Sequence, residues 1–461
     1  MLPVTAIFDI GRTNKKFFLF DDSFREVHRE YVSLPMIEDE DGYPCEDIDN
    51  LVDWMRSVFH RVMTEGEYAV KALNFSSYGA SLVHLDVHGR VVAPLYNYTK
   101  PLPAGLTEDF FNTYGPREDF LVRTASDDAG MLNSGMQLYW LKHRKPEVFS
   151  RIRYSLHLPQ FLSYRFTGIP VSEYTSIGCH TFLWDYPSQD YHPWVYAEGL
   201  DKLFPKTVPA DTTITGEFYG KRVTVGVGIH DSSAALLPYL KTADEPFMLL
   251  STGTWSVALN PFISGKLEAR DMAAGCINYL RPDGQPVRAA RLFLGEEYKR
   301  QTRKLADHFG DEAPAPDRVF FNTQVFRRLK NDFSPWFGWE VLSGGTSPSL
   351  NLPPETSYVE AYHHLMMELA TLQAASIRAA IGEEQIGKLF IDGGFSDNEV
   401  FVNLLAHDFR GMKIRTTDAS LGSALGAAIS IAEGDLPDDF LTNNYGLREH
   451  QPFPSAPNRR P

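Results

Sequence analysis

The sequence predicts an α/β protein built from two related halves, and three observations carry that prediction. Leu249 to Asn260 has the pattern of a buried strand, a small-residue turn and a second strand. Ala6 to Phe20, at the start of the chain, follows the same plan with a turn of Gly, Arg, Thr and Asn. Between and after these hairpins, strand-length apolar runs alternate with helix-length stripes. The second turn holds Ser251, Thr252, Gly253 and Thr254, so it can offer backbone N–H groups and hydroxyls to an anion. Two phosphate-sized turns far apart in one chain point to two halves closing on one nucleotide.

Composition bounds the function. A chain of 461 residues is too long for one core and long enough for two domains. The formal net charge of −15 is spread along the chain, which argues against nucleic acid as a partner, since phosphate backbones need clustered Lys and Arg. Cys45, Cys179 and Cys276 are widely spaced and odd in number, so a disulfide framework is not expected and a cytoplasmic setting is. Asp9 interrupts the first apolar run, against a secretory leader. No apolar run has bilayer length, so no membrane partner is expected either.

Taken in order, the first hairpin carries Asp9 at the end of a buried strand, where a carboxylate can hold a hydrated Mg²⁺ or cap the turn. Lys15 and Lys16 follow, and either can face a phosphate or simply solvent. Residues 47–65 form a helix on the stripe Ile48, Leu51, Val52, Met55, Val58, Phe59 and Val62. A strand at Val70–Phe75 leads to Ser76, Ser77, Tyr78 and Gly79, and a hairpin over Leu82–Val87 turns at His88-Gly89. His84, Asp86 and His88 lack a fourth ligand and are set aside as a metal site. Residues 100–130 are expected to be loop-rich. Helices follow at Gly135–His143 and at Leu158–Phe166, the latter stopped by Gly168. Val171 to Ser176 is a compact polar segment with the pattern of a capped turn.

Arg222 to Leu236 is a β-branched strand running into His230-Asp231-Ser232-Ser233 and then a helix. Asp231 can cap that helix or act as a general base at a strand end facing a cleft. Asp244 to Pro246 is the expected linker. A variable region rich in Pro and Gly spans 262–355. A long helix covers Tyr358–Ile381. Lys388 to Asn398 is a strand, a Gly-Gly turn and a helix start, and the glycine pair lets a ring or phosphate approach the backbone. Strand Lys413–Thr416 and helix Leu421–Ile431 close the pattern, with a partly flexible Pro-rich tail expected beyond Gly434. Gly382 to Lys388 has the glycine-lysine spacing of a P-loop, but it lies after a helix and before a strand, the reverse of the required order.

Four of these segments, in this order, resemble the FGGY family of carbohydrate kinases, within the actin/Hsp70/sugar-kinase superfamily. They are Asp9-Ile-Gly-Arg-Thr-Asn, Gly228-Ile-His-Asp-Ser-Ser, Ser251-Thr-Gly-Thr-Trp-Ser and Asp392-Gly-Gly-Phe-Ser-Asp-Asn, and the likeness runs from about residue 4 to 433. Ser-Thr-Gly-Thr-Trp, Ser163 to Gly168 and Glu173-Tyr-Thr are most similar to rhamnulokinases and fuculokinases. Gln160, where many members carry Asp, and Ala80-Ser81, in place of a Val-Asp pair, depart from the pattern, and 262–300 matches poorly. These departures leave the identity of the sugar open.

The resemblance implies two ribonuclease-H-like domains with a cleft between them, 1–243 for the sugar and 244–435 for the nucleotide, followed by a tail, 436–461. It implies ATP-dependent phosphorylation of a ketose or polyol, with C1 of a ketose favoured. Asp231 is then the general base and Asp9 the Mg²⁺ residue. Thr13, Asn14, Lys16, Thr252, Gly253 and Thr254 hold phosphates, and Gly393, Gly394 and Asn398 line the adenosine pocket. Tyr78, Gly79, His230 and Asp231 face the sugar. The alternatives are an actin- or Hsp70-like ATPase and a kinase-derived sugar sensor. A homodimer is the commonest assembly for such a protein.

Overall fold

The computed structural model describes residues 1–12, 14–310, 313–342, 350–418 and 421–453. The first sheet contains β1 (Leu2–Ile10), β2 (Lys15–Phe20), β3 (Glu26–Val32), β4 (Tyr68–Ser77), β5 (Thr213–Phe218), β6 (Lys221–Gly226) and β7 (Ile229–His230). Its path is β5-β6-β4-β1-β2-β3, with β7 paired to β4. The second contains β8 (Phe247–Thr252), β9 (Ser256–Asn260), β10 (Cys276–Leu280), β11 (Pro286–Leu292), β12 (Lys388–Gly393), β13 (Lys413–Thr417) and β14 (Arg448–His450), in the order β10-β11-β9-β8-β12-β13-β14.

The two sheets share one plan. In the first, β1, β2 and β3 run antiparallel in sequence, and β4 and β6 add in parallel on the other side of β1. In the second, β8, β9 and β11 repeat the antiparallel meander, and β12 and β13 add in parallel on the other side of β8. This doubled ribonuclease-H-like path is the repeat that the two hairpins announce.

Seven helices complete the layers that matter for the site: α1 (Ile48–Thr64), α2 (Leu158–Thr167), α3 (Asp231–Thr242), α4 (Leu294–Phe309), α5 (Tyr358–Ile381), α6 (Glu399–Asp408) and α7 (Gly422–Ser430). α1 starts at an Asp47 cap that accepts the Asn50 N–H, and its stripe packs with Phe8, Leu73 and Val225 of the first sheet. α5 starts at a capping box between Ser357 and Glu360 and covers the outer face of the second sheet. α3 and α7 lie between the two sheets. Their apolar faces share one core with Ile7 and Phe18 of the first sheet and Leu249, Leu259 and Phe390 of the second.

Strand alternation therefore decides what reaches the cleft. Along β1, Ala6, Phe8 and Ile10 pack outward with α1, whereas Ile7 packs inward with α3 and α7, and Asp9 shares its side. Along β8, Met248 and Leu250 pack outward, and Phe247, Leu249 and Ser251 take the inward face.

Three sequence expectations are corrected, and the tail adds two elements, with residues 454–461 outside the described residues. Residues 100–130 contain two helices, Leu106–Tyr114 and Arg117–Thr124, each started by acidic residues in its first turn. The strand from Leu82 ends at Leu85 and pairs with Tyr154–His157, because Asp86 accepts the His88 and Arg90 N–H groups and makes the turn earlier. The region 262–355 supplies β10, β11 and α4, so it completes the second sheet. The tail is folded up to residue 453: Phe440–Tyr445 is helical and β14 pairs with β13 at the sheet edge. Phe440, Leu441 and Tyr445 are buried there. Among the described residues, no helix is long and apolar enough to cross a membrane.

Candidate active site

Asp9 ends β1 directly opposite Lys16 on β2, so the two side chains share a face, and the Lys16 Nζ lies 3.4 Å from an Asp9 carboxylate oxygen. Lys15 points the other way. It is buried, and its Nζ donates to Glu46 at 2.9 Å and to the Gly11 and Arg12 carbonyls at 3.0 and 2.9 Å, which ties the turn down from behind. The turn is closed by Gly11 N–H donating to the Asn14 carbonyl at 3.0 Å. Thr13 lies outside the described residues.

The second half reaches Asp9 directly. Ser423, at the head of α7, donates its hydroxyl to Asp9 at 3.0 Å. Burial pushes the Asp9 carboxyl above its usual range; Lys16 and the Ser423 hydroxyl oppose that shift, and the nearby Asp231 charge adds to it. Asp9 is thus a costly buried acid that gains from a further positive charge.

Asp231 opens α3 beside it. About a third of its side chain faces the cleft. The low-polarity walls push its carboxyl up to about 6, against the pull of the Ser232 N–H, the Ser232 hydroxyl and Lys16. The His230 ring lies with Nε2 at 3.3 Å from an Asp231 oxygen. Burial holds that ring neutral, with its pKa down to about 4, so the contact is a close approach of a neutral ring rather than an ion pair. Gly79 backs the ring so closely that a Cβ there would sit 3.0 Å from it. Tyr78, next to it, turns its phenol toward Glu46, and burial together with that acid keeps the phenol protonated.

From the other side come the turn 251–254 and the Gly-Gly turn. Gly393 adopts a φ of +86°, and a Cβ there would meet the Thr252 carbonyl at 2.0 Å, so only glycine fits. Gly394 N–H donates to that same carbonyl at 2.7 Å. Gly253, Thr254, Gly393 and Gly394 are exposed, with their backbone available to a ligand. The Thr252 hydroxyl is already committed: it donates to the Asp392 carbonyl at 2.5 Å and accepts the Phe395 N–H at 3.0 Å. Asn398 is also occupied, accepting the Phe401 N–H at 3.0 Å and donating to the Tyr362 hydroxyl at 2.8 Å. Both side chains brace the turns, so contact with a ligand there falls to backbone groups.

A cavity of about 300 Å³ lies between Asp231 and the second half, walled by Asp231, Ser251, Tyr279, Asp392, Gly393 and Ser423 among others. Tyr279 and Ser423 escaped the sequence reading, whereas Ser251 and Asp392 were read only as members of their motifs. For Ser251 the signal existed, because strand alternation puts it, and not Thr252, on Leu249's side. His84 and Asp86 are claimed locally: His84 bonds Ser155 at 2.9 Å and Asp86 holds its own turn. Among the described residues, no group of three or more His, Cys, Asp or Glu is gathered as a protein cage for a metal. The three cysteines are unpaired and buried.

Two family models match this chain. The N-terminal domain of the FGGY family of carbohydrate kinases matches residues 4–232, and the FGGY C-terminal domain matches residues 244–438. The chain belongs to the FGGY family of carbohydrate kinases. Within that family, rhamnulokinases from two Klebsiella pneumoniae strains are 27% identical to it over 245 residues, which is 51% of this chain and 48% of theirs. The chain thus spans about half the length of the curated relatives it matches. A carbohydrate kinase from Novosphingobium aromaticivorans superposes with a TM-score of 0.82 at 24% identity, over 98% of this chain and 95% of that one. A xylulose kinase from Lactobacillus acidophilus gives 0.74 at 16% identity, over 98% and 94%. These two likenesses show that the chain shares the fold of those kinases over most of its length.

Proposed function

We propose that this FGGY protein transfers the γ-phosphoryl group of ATP to a hydroxyl of a small sugar, with C1 of a ketose as the favoured acceptor. The observation that carries the reading is a cavity walled by Asp231 from one half and by Ser251, Gly393 and Ser423 from the other, with Ser423 in turn bonded to Asp9 and Asp9 beside Lys16. The rhamnulokinase likeness supports a ketose over other sugars. We take residues 1–243 as the sugar half and 244–435 as the nucleotide half.

In this reading Asp231 accepts the proton of the attacking hydroxyl on a carboxylate oxygen. A base with a pKa near 6 is mostly ionised at neutral pH yet still basic enough to assist. His230, neutral and 3.3 Å away, packs beside that carboxylate, whose direction is held by the Ser232 N–H at 2.6 Å. Asn14, Gly253 and Thr254 lie on the two turns that face the phosphates, and Lys16 adds positive charge between them. Gly393 and Gly394 leave room for the adenosine ring against bare backbone. Asp9 suits a hydrated Mg²⁺ at one carboxylate, as expected of an ion that keeps most of its water. Bound magnesium supplies charge neutralisation on the phosphates. Transfer otherwise needs alignment more than covalent help, so the chain acts chiefly by positioning.

The test is ADP release from Mg·ATP across a panel of ketoses, aldoses and polyols, with Asp231→Asn as the control. One acceptor turned over well above background, and lost by at least about 10³-fold in the variant, is the expected result. A flat panel in a protein that binds ATP overturns the transferase reading and favours a family ATPase or a sugar sensor.

A further inference from the structure

The polar segment before Cys179 lies directly beneath His230 and Asp231. Glu173 is fully buried, and its carboxylate is saturated by its own neighbours. It accepts the Thr175 N–H at 2.8 Å and the Ser176 N–H at 3.2 Å, and it takes the Thr175 hydroxyl proton at 2.6 Å. Capping the four-residue helix Tyr174–Ile177 does not require a buried carboxylate; a Ser or Asn would serve.

The excess has a consequence one bond further on. Thr175 has one hydroxyl proton, and Glu173 claims it. The Thr175 oxygen is therefore fixed as an acceptor, and it takes the His230 backbone N–H at 3.0 Å. His230 is the residue that joins β7 to α3, and Asp231 is the next one. The same segment also reaches the ring, since Cys179 Sγ lies 3.5 Å from His230 Nε2. Gln160 braces the strand just before, donating to the Gly228 carbonyl at 3.0 Å.

We propose that Glu173 and Thr175 are positioning residues for phosphoryl transfer: the Glu173 carboxylate orients the Thr175 hydroxyl, which anchors the His230 backbone and so sets where Asp231 presents its carboxylate. The proposal rests on Asp231 as the base. Neither residue touches a reacting atom. Loss of the anchor leaves a buried N–H unpaired and frees the strand-to-helix junction, and a shift of about 1 Å in a reacting group can cost about 10²-fold in rate.

The test compares Thr175→Val, Thr175→Ser and Glu173→Gln with the parent and with Asp231→Asn. The readout is ADP release from Mg·ATP, with the best acceptor of the sugar panel and with water alone. Thr175→Val is expected to lower kcat about 10- to 100-fold, to change the KM for ATP less than about 3-fold, and to displace the acid limb of the pH profile. Thr175→Ser keeps the hydroxyl and is expected to stay within about 3-fold of the parent. Glu173→Gln is expected to lower kcat with the KM for ATP retained, and it decides the matter if Thr175→Val does not fold. Parental kcat and pH limb in a folded Thr175→Val, or in Glu173→Gln, overturn the proposal. So does a Thr175→Ser as slow as the valine variant, which would make packing the cause. If Asp231→Asn is inactive while Thr175→Val is parental, only this proposal falls. If Asp231→Asn keeps its turnover, the base assignment falls and takes the proposal with it.

Discussion

Asp231 carries a proton-dependent signature, in a window that it shares with Glu173, whose burial raises it to about 7. Its carboxyl is raised to about 6 by burial, while Lys16 and Ser232 pull it down. His230 beside it stays neutral to about 4, so it does not titrate in the same window. In the proposed mechanism the proton-free form of Asp231 is the active one. Turnover therefore falls as pH drops through about 6, by about tenfold per unit below it, and levels above it. Lys16→Gln removes the positive charge that favours the Asp231 anion, so the limb moves to higher pH. Rates of sugar-dependent ADP release from pH 4.5 to 8 check this; a limb near 4, where an ordinary Asp titrates, would remove Asp231 from the role. The residues proposed to set this chemistry were legible when they stood near strand ends and turns, as Asp9, Lys16 and Asp231 do. The resemblance picked Lys16 over Lys15, and the pairing of β1 with β2 supplies the physical reason that the two part. The commitments of Thr252 to Asp392 and of Asn398 to Tyr362 were hidden, because each joins residues far apart in the chain.

At the level of elements, α3 and α7 meet so closely that Gly426 has no room for a side chain. A Cβ there would lie 1.8 Å from the Ala234 carbonyl oxygen and 2.4 Å from its carbon, both backbone atoms that cannot rotate away. The heads of these helices hold Asp231 and Ser423, so the contact sets the width of the cleft. Gly426→Ala is expected to lower stability by about 1–3 kcal/mol through overpacking. Gly411→Ala, where a Cβ meets nothing within 4 Å, is the matched neutral control. Chemical denaturation of both variants measures the difference; equal midpoints would mean that the helices part without cost. The helices themselves were readable. α1 and α5 carry apolar stripes of helical period and begin at side-chain caps. β10 and β11 were not, because their residues are buried on both faces and lie in a Pro- and Gly-rich stretch that lacks alternation. β14 is three residues long and mostly exposed, and only its pairing with β13 identifies it.

Across the whole molecule, the segment after residue 436 is a strap between the halves. Phe440 packs edge-on against Phe24, in the turn between β2 and β3, with centroids 5.7 Å apart. Tyr445 packs against Tyr239 of α3 at 5.8 Å, and its carbonyl accepts the Asp418 N–H at 2.8 Å. Further along the same side, Asn74 of β4 donates to the Ala427 carbonyl and to Ser430 of α7, both at 2.9 Å. These contacts lie away from the glycine turns, so they join the halves at the back while the front stays open to ligands. A chain ended after Asp435 loses the burial of Phe440, Leu441 and Tyr445, each worth about 1.5–3 kcal/mol, and uncovers the edge of β13. The expected result is a melting temperature lower by at least several degrees and a rise in aggregation on heating. Asn74→Ala, which removes the hydrogen bonds but keeps the strap, is expected to cost less than the truncation. If the shortened chain melts with the parent and keeps its sugar-dependent ADP release, the strap is dispensable and the α3–α7 contact alone holds the halves. If it melts early but regains the parental temperature when Mg·ATP and sugar are both added, the ligands bridge the halves from the front in place of the strap. That recovery would place the two phosphate turns on one ligand without reference to turnover.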